Sequence, residues 1–315
     1  MTSDQLTMKF IKNIIYFCLG ILAVSCTQII SQTSQDNPSS LPANPTRIVA
    51  LEWVYVEDLL ALGIQPVGMA DIGGFQQYVK IAPQLGENVV DVGTRQEPSL
   101  EAIAKLEPDL IIGIKMRHES IYNALSSIAP TLLFDPYPPP TIRQLDEMEQ
   151  TFWKIAEVVN AQAQGEVVWQ KFAATFDQAT RQIQSMGLAG SPFILGQFMA
   201  GLPQIRLFND NAMAVQLLQA IGLNNVWQGD EDLFGFNTVW LESLPAVEKA
   251  NFFYITESSN PYYTGLRENP IWQKLAFVKE KRIYPIGSDT WIFGGPLSAM
   301  TFVEKVLVAL SASGL

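Results

Sequence analysis

The chain has 315 residues, of which 48% are apolar and only 16% charged, so it can fill a sizeable core and is not a disordered chain. With 31 acidic and 20 basic side chains the net charge is −11, which disfavours a nucleic-acid binder. Two cysteines and one histidine, His118, exclude a disulfide scaffold and a histidine-rich zinc site. Because the common nucleotide-binding and hydrolase motifs are also missing from the sequence, most common enzyme classes are disfavoured, and we expect no catalytic residues.

The N-terminus has the pattern of an export signal. Lys9 and Lys12 precede an apolar run over 14–24, which is too short to span about 30 Å of hydrocarbon. Small residues before Cys26 predict a lipoprotein signal over 1–25, with Cys26 as the lipid-carrying residue; plain secretion is the alternative, and Met8 is an alternative start. The Ser-, Gln-, Asn- and Pro-rich residues 26–46 predict a flexible tether. We therefore expect a periplasmic protein or one anchored at the outer face of the cell membrane.

From Arg47 onward, short β-branched runs alternate with helical patterns, which is typical of an α/β fold. Strands are predicted over 47–51, 109–113 and 130–134, and helices over 56–64 and 99–106. A related order returns as a strand over 205–208 and a helix over 214–223, and residues 241–256 resemble 100–113. The repeat predicts two Rossmann-like lobes of similar architecture, an N-terminal lobe over 47–140 and a C-terminal lobe over 163–315.

A different pattern separates the two lobes. Apolar residues spaced by three and four between Leu145 and Val159, and again between Trp169 and Ile183, predict two amphipathic helices. We assign residues 141–162 to a long, rigid helix that joins the lobes and leaves a ligand cleft between them. The alternative is two unrelated domains with a helical linker.

Residues that follow strand-like runs are the candidates for the walls of this cleft, because ligands of open α/β sheets bind near the carboxyl ends of the strands. The predicted substrate-binding residues are Trp53, Tyr78 (in a predicted glycine-rich loop over 71–78), Arg95, Met116, Phe234, Trp291 and Phe293, with Arg117, His118 and Phe236 beside them. One guanidinium among aromatic rings suits a bulky, weakly charged ligand that carries oxygen atoms.

Each of these residues has an alternative interpretation. The aromatic side chains could belong to the core, Arg95 could pair with Glu97 at the surface, and His118 is more typical of a solvated loop. Tyr262 and Tyr263 could ligate ferric iron directly through their phenolates, although they lie in a predicted turn. We predict no metal site formed by the protein itself.

Five segments of this sequence match those of a known protein family. They occur in the same order as in that family, and the resemblance covers most of the chain from Arg47 to the C-terminus. The chain resembles the ferric-hydroxamate-siderophore-binding proteins of the long-helix, class III family of ABC-importer substrate-binding proteins. The segments are ALEWVYVEDLLALGI, DVGTRQEPSLEAIAKLEPDLI, NNVWQGDEDLFGF, NPIWQKLAFVKEKRIYPI and WIFGGPLSAMTFVEKVL.

This resemblance implies roles for individual residues. Arg95 matches the arginine that donates hydrogen bonds to hydroxamate oxygens, and Trp291 matches a cleft tryptophan. Phe293 and Phe234 stand where the family has tyrosine and tryptophan, and Tyr78 falls near a tryptophan of the N-terminal lobe. The family's tyrosine after the strand at 109–113 is missing, and the stretch that contains Met116 occupies its place.

Two glutamates match a docking pair of the wider family. Glu101 and Glu242 align with glutamates, one on each lobe, that bind arginines of the permease. The alternative is that they are carboxylates that only favour the dipole at a helix N-terminus.

The resemblance therefore implies a monomeric, extracytoplasmic substrate-binding lipoprotein of an ABC importer, which captures a ferric siderophore of the hydroxamate type and delivers it to the permease. The iron would arrive inside the siderophore, so that no cofactor is needed. Ferric citrate, catecholate, haem and cobalamin are alternative ligands, and a two-lobed α/β enzyme or a structural lipoprotein are alternatives of other classes.

Overall fold

The structure is a computed structural model that describes residues 41–312 except 200, 231, 258 and 267. The predicted signal over 1–25, Cys26 and most of the predicted tether lie outside the described residues. Within the described part of the chain, none of the helices has the length and apolar character needed to cross a bilayer.

The N-terminal lobe contains a five-stranded sheet covered by short helices. Its strands are β1 (Ile48–Ala50), β2 (Gly68–Met69), β3 (Val90–Asp91), β4 (Leu110–Ile114) and β5 (Thr131–Phe134). Its helices are α1 (Trp53–Ala61), α2 (Ile72–Tyr78), α3 (Leu100–Lys105), α4 (Lys115–His118) and α5 (Tyr122–Ile128), with a short 3-10 helix over Glu119–Ile121. All strands are parallel, in the order β3-β2-β1-β4-β5.

The register of the central strands brings two chain segments to one edge of this sheet. Ile48 of β1 lies opposite Leu110 of β4, and both strands are buried on both faces, as their continuous apolar runs predict for a parallel sheet. The chain therefore leaves β1 and β4 on the same side, at Glu52 and at α4. The glycine-rich stretch before Tyr78, predicted as a loop, forms α2 instead, because the Asp71 side chain accepts a hydrogen bond from the Gly74 N–H and caps this helix.

Two helices, α6 (Gln144–Val158) and α7 (Gln162–Ser185), follow the N-terminal lobe, so the interlobe helix predicted over 141–162 ends earlier than expected and is followed by a longer helix. Helix α7 is about 36 Å long at 1.5 Å per residue. Val168 near its start packs in the core of the N-terminal lobe, whereas Ala179 and Ile183 pack in the core of the C-terminal lobe. Helix α6, which lies within the range 141–162, also joins the lobes, because Met148 packs in the C-terminal core and Phe152 in the N-terminal core. Helix α7 is a second connection, although the predicted boundaries gave it to the C-terminal lobe alone.

The C-terminal lobe contains a six-stranded mixed sheet. Its strands are β6 (Pro192–Phe198), β7 (Ile205–Phe208), β8 (Asn224–Asn225), β9 (Phe236–Val239), β10 (Asn251–Ile255) and β11 (Ile283–Pro285). Its helices are α8 (Met213–Ala220), α9 (Pro261–Leu266), α10 (Pro270–Lys274), α11 (Ala276–Lys279) and α12 (Pro296–Ala312), with a 3-10 helix over Leu241–Val247. The sheet order is β11-β10-β6-β7-β9, and β8 also pairs with β6.

The predicted two-lobed α/β fold is confirmed, but the internal repeat does not extend to sheet topology. Strand β1 is parallel to both neighbours, whereas β7, which the repeat places in the equivalent position, is antiparallel to β6 and β9. The short connection over 199–204 accounts for the antiparallel β6–β7 pair, because parallel neighbours need a longer crossover.

Helix α12 is a further contact between the lobes. Most of it packs in the C-terminal core, but Leu297 and Met300 pack in the core of the N-terminal lobe. The buried Glu57 carboxyl of α1 accepts hydrogen bonds from the Ser298 N–H at 2.7 Å and from its hydroxyl at 2.6 Å. Burial raises the pKa of Glu57, while the hydrogen bonds from Ser298 oppose this shift. A carboxyl group from one lobe thus caps the first turn of a helix that belongs mainly to the other.

We predict that Gly295→Ala will lower the free energy of unfolding by about 1–3 kcal/mol, because the added methyl group would collide with the buried Asp58 carboxyl in this closely packed contact. Urea unfolding followed by fluorescence measures the change. Gly265→Ala is the matched control, since a methyl group there meets no atom of the described residues within 4 Å. Equal stabilities of the two variants would contradict the prediction.

Candidate ligand-binding cleft

A cavity of about 230 Å³ lies between the two lobes and is lined by both of them. The N-terminal lobe supplies Trp53, Tyr78 and Arg95. The C-terminal lobe supplies the remaining wall, which includes Arg206 and Trp291. Four of the seven predicted ligand-binding residues, Trp53, Tyr78, Arg95 and Trp291, therefore lie together at this cavity.

The Arg95 guanidinium is held by groups from separate segments of the N-terminal lobe. Its Nη1 donates to Glu52 Oε1 at 2.8 Å, and its Nε lies 3.5 Å from Asp71 Oδ2. Its Cζ lies 3.6 Å from the centroid of the Trp53 ring, which is a close cation–π contact. The surface pair with Glu97 that sequence suggested as an alternative does not form, because Glu52 provides a more buried carboxylate.

Glu52 organises this side of the cleft. It is 5% exposed and occupies the N-cap of α1, directly after β1. Besides Arg95, its carboxylate accepts a hydrogen bond from Arg117 Nη1 through the second oxygen. One buried carboxylate thus fixes two guanidiniums from different strand ends, and such charge-assisted hydrogen bonds are stronger than neutral ones.

His118 is buried, not a solvated loop residue. Its Nδ1 accepts from the Ile114 N–H at 3.0 Å, and its Nε2 lies 3.0 Å from the Arg95 carbonyl oxygen. The first contact requires Nδ1 to be unprotonated, so Nε2 carries the hydrogen and donates to Arg95. Burial lowers the pKa of His118, which keeps this neutral form at neutral pH. His118 therefore ties the Arg95 backbone to the end of β4.

Aromatic rings from both lobes meet next to Arg95. The centroids of Trp53 and Trp291 are 4.9 Å apart at an interplanar angle of 61°, and Tyr78 lies 6.4 Å from Trp53. The Trp53 Nε1–H donates to the Asp71 carbonyl oxygen. By contrast, Trp291 Nε1 and Arg95 Nε are buried nitrogens without a hydrogen-bond partner within the described ranges. The cleft therefore holds, on each lobe, one buried donor that makes no hydrogen bond within the described residues, and Arg95 Nε has only its 3.5 Å ion-pair contact with Asp71.

The structure does not bring the other three predicted residues into the cavity lining. Met116 is 45% exposed on α4. Phe234 stacks on Phe236 at 5.9 Å and contacts Tyr137 edge-on at 5.0 Å. Phe293 packs against the C-terminal core and lines a separate buried cavity of about 30 Å³. Their roles in binding remain predictions.

Sequence reasoning missed four charged residues of the cleft region: Glu52, Asp71, Arg206 and Glu257. Glu52 gave a signal, since an acidic residue directly after a buried strand stands at the carboxyl edge of the sheet. Arg206 was a weaker sequence signal for a functional residue, because it is a charged residue inside the apolar run 205–208. Arg117 was noted as a neighbour of Met116 but was not selected.

The remaining candidates lie away from the cavity lining. Glu101 pairs with Lys105 at 2.7 Å on the exposed surface of α3, and Glu242 is exposed in the first turn of the 3-10 helix. The Tyr263 hydroxyl lies 2.5 Å from that of Tyr254, so it pairs within the C-terminal lobe. Across the described residues, no group of three or more His, Cys, Asp and Glu side chains is arranged to hold a metal ion.

Two α/β lobes, joined by a long helix and separated by an aromatic cleft, define a class of extracytoplasmic binding proteins. The sequence pattern of the periplasmic binding protein family matches residues 48–290, and the chain belongs to this family. It is a family of binding proteins rather than enzymes.

Individual relatives agree with this assignment. The iron(3+)-hydroxamate-binding protein FhuD of Escherichia coli is 29% identical over 265 residues, which cover 83% of this chain and 86% of FhuD. The Fe(3+)-citrate-binding protein YfmC of Bacillus subtilis is 26% identical over 276 residues, covering 87% and 83% of the two chains. Among solved structures, the Fe3+-Desferal-bound siderophore-binding protein FhuD of Vibrio cholerae has the same fold, with a TM-score of 0.76, 24% identity and coverage of 85% of this chain and 98% of that one.

We predict that His118 makes stability depend on pH. Because burial lowers its pKa in the folded state, the unfolded chain takes up the proton first, and stability is lost as pH falls below about 6.5. The slope approaches about 1.4 kcal/mol per pH unit. Urea unfolding of the wild type and of His118→Gln between pH 8 and 5 measures it.

Groups with a raised pKa, such as Glu57, stabilise the fold as pH falls and so oppose the effect of His118. The quantity to compare is therefore the difference in unfolding free energy between the wild type and His118→Gln at each pH. Above pH 7.5 the two should show the same pH dependence. If the unfolding free energies of the wild type and His118→Gln changed in parallel down to pH 5, the prediction would be refuted.

Proposed function

We propose that this periplasmic binding protein captures a ferric siderophore, of the hydroxamate type, and delivers it to the permease of an ABC importer. The observation that carries the proposal is a pair of buried donors on opposite walls of an aromatic cleft, Arg95 Nε and Trp291 Nε1, which have no hydrogen-bond partner among the described residues; Arg95 Nε has only the 3.5 Å ion-pair contact with Asp71. Hydroxamate oxygens are acceptors, and they surround the metal of a bulky, largely apolar chelate.

The charge balance near Arg95 agrees with such a ligand. The two guanidiniums of Arg95 and Arg117 face two carboxylates, Glu52 and Asp71, so this wall has no excess charge. A ferric tris-hydroxamate core is also neutral, and it can enter without a counter-charge. This balance favours a hydroxamate over a highly anionic chelate at the N-terminal wall.

Recognition in this mechanism needs no iron–protein bond. The siderophore supplies every ligand of the metal, Arg95 donates to its oxygens, and the partly buried rings of Tyr78 and Trp291 cover its carbon framework. Trp53 is 2% exposed and supports the Arg95 guanidinium through the cation–π contact. Glu52 keeps the guanidinium in position before the ligand arrives, so little conformational entropy is lost on binding.

The relatives support a ferric chelate as the ligand, but they do not distinguish hydroxamate from carboxylate groups as the ligands of its iron. FhuD of E. coli is named for hydroxamates and YfmC for citrate, at similar identity to this chain. Ferric citrate is therefore the second candidate ligand. Export, acylation at Cys26, a monomeric state and docking of Glu101 and Glu242 onto the permease complete the proposal.

Arg95→Ala should weaken ferric-hydroxamate binding by about tenfold or more, because charge-assisted hydrogen bonds are worth roughly 1.5–3 kcal/mol. Quenching of tryptophan fluorescence by the chelate measures the affinity. Arg95→Lys, which keeps the charge but loses the planar fork, should be weakened as well.

The control for this experiment is Arg181→Ala, an exposed arginine on α7. It should bind like the wild type, and thermal unfolding of each variant shows whether it is folded. Undiminished affinity in a folded Arg95→Ala variant would remove Arg95 from the site.

The double variant Glu101→Ala/Glu242→Ala should abolish uptake of the radiolabelled ferric chelate into cells while leaving affinity in solution intact, since both side chains are exposed and lie outside the cavity lining. Glu87→Ala/Glu304→Ala also removes one exposed glutamate from each lobe and should transport normally. A normal uptake rate in the first double variant would refute the docking role.

A further inference from the structure

Arg206 is a second guanidinium in the cleft, on the wall opposite Arg95. It lies on β7, where it pairs in register with Gln197 of β6, and both residues line the cavity. Its Nη1 donates to Gln197 Oε1 at 3.3 Å, and its Cζ lies 4.5 Å from the centroid of the Phe236 ring. These contacts orient the guanidinium without neutralising its charge.

The electrostatic setting of Arg206 differs from that of the other two arginines near the cleft. Arg95 and Arg117 each have a carboxylate oxygen of Glu52 within hydrogen-bond distance. Over the described ranges, Arg206 has no Asp or Glu oxygen within 4 Å. It is half-buried, and burial lowers its pKa, although an arginine stays charged at any physiological pH. A partly desolvated cation without a counter-ion is unfavourable, and an anionic group on the ligand would relieve that cost.

We propose that Arg206 is a specificity-determining residue, which selects ferric chelates that carry a carboxylate on the side facing the C-terminal lobe. This inference rests on the proposed function and deepens it, because it assigns different parts of the ligand to the two walls of the cleft. The balanced N-terminal wall contacts the neutral hydroxamate core, and the C-terminal wall contacts a peripheral acid. A planar guanidinium can hold both oxygens of a carboxylate at once.

Glu257 lines the same cavity and limits how anionic the ligand can be. Its carboxylate repels a negatively charged chelate and attracts a positively charged one. Arg206 should favour negatively charged chelates, whereas Glu257 should favour positively charged ones. A Glu257 variant is therefore a matched control on the same lobe.

The test uses three ferric chelates that differ at a single pendant group. Ferric desferrioxamine B carries a free ammonium, its N-acetyl derivative is neutral, and its N-succinyl derivative ends in a carboxylate. Affinities for the wild type, Arg206→Gln and Glu257→Gln are measured by tryptophan quenching at low and at physiological salt, with thermal unfolding as the check on folding.

The wild type should bind the succinyl chelate about tenfold more tightly than the acetyl chelate, and Arg206→Gln should remove this preference while leaving affinity for the acetyl chelate within about threefold. Glu257→Gln should keep or increase the preference. Equal binding of the succinyl and acetyl chelates by the wild type, or an unchanged preference in Arg206→Gln, would overturn the proposal.

Ferric citrate, an anionic chelate without hydroxamate groups, separates this inference from the proposed function. If no desferrioxamine chelate binds but ferric citrate binds and loses about tenfold or more in Arg206→Gln, the hydroxamate assignment fails and the role of Arg206 stands. If ferric citrate alone binds and the substitution has no effect, or if none of the chelates binds, both are overturned.

Discussion

The buried Glu52 carboxylate is the interaction on which the N-terminal wall of the cleft depends. It caps α1 shortly after the end of β1 and accepts hydrogen bonds from two guanidiniums that come from different segments. Without it, Arg95 and Arg117 would repel each other and keep many side-chain conformations. With it, the Arg95 guanidinium lies 3.6 Å from the Trp53 ring centroid, and its buried Nε makes no hydrogen bond among the described residues. Binding then requires little reorganisation of this wall.

The connection between the lobes restrains the cleft in a similar way. Helix α7 packs in both cores, and α12 inserts its first turns into the N-terminal lobe, where Glu57 holds the Ser298 N–H. A wide hinge opening would have to bend α7 and break this buried contact. The arrangement favours small movements around a preformed cavity, and it places the two arginine-bearing walls at a nearly fixed separation.

Local patterns were enough to predict much of the fold. The apolar run 109–113 and the Ser99 cap gave β4 and α3 almost to the residue, because a buried strand and a capped helix leave strong signals over a few positions. The helix bounds between the lobes were less accurate, since periodicity alone did not show that α7, as well as α6, packs in both cores. The partners of Arg95 and the burial of His118 depend on residues far apart in the chain.

By itself, the sequence determined the two-lobed α/β architecture, the family and the candidates Arg95, Trp53, Tyr78 and Trp291, because each of these follows from a local pattern or a contiguous motif. Only the tertiary structure decided the charge balance of the cleft. It showed that Glu52 and Asp71 neutralise one wall and that Arg206 on the other wall has no carboxylate partner in the described part of the chain. The physical reason is that electrostatic energy depends on distances and burial, which packing sets between segments that the sequence leaves far apart.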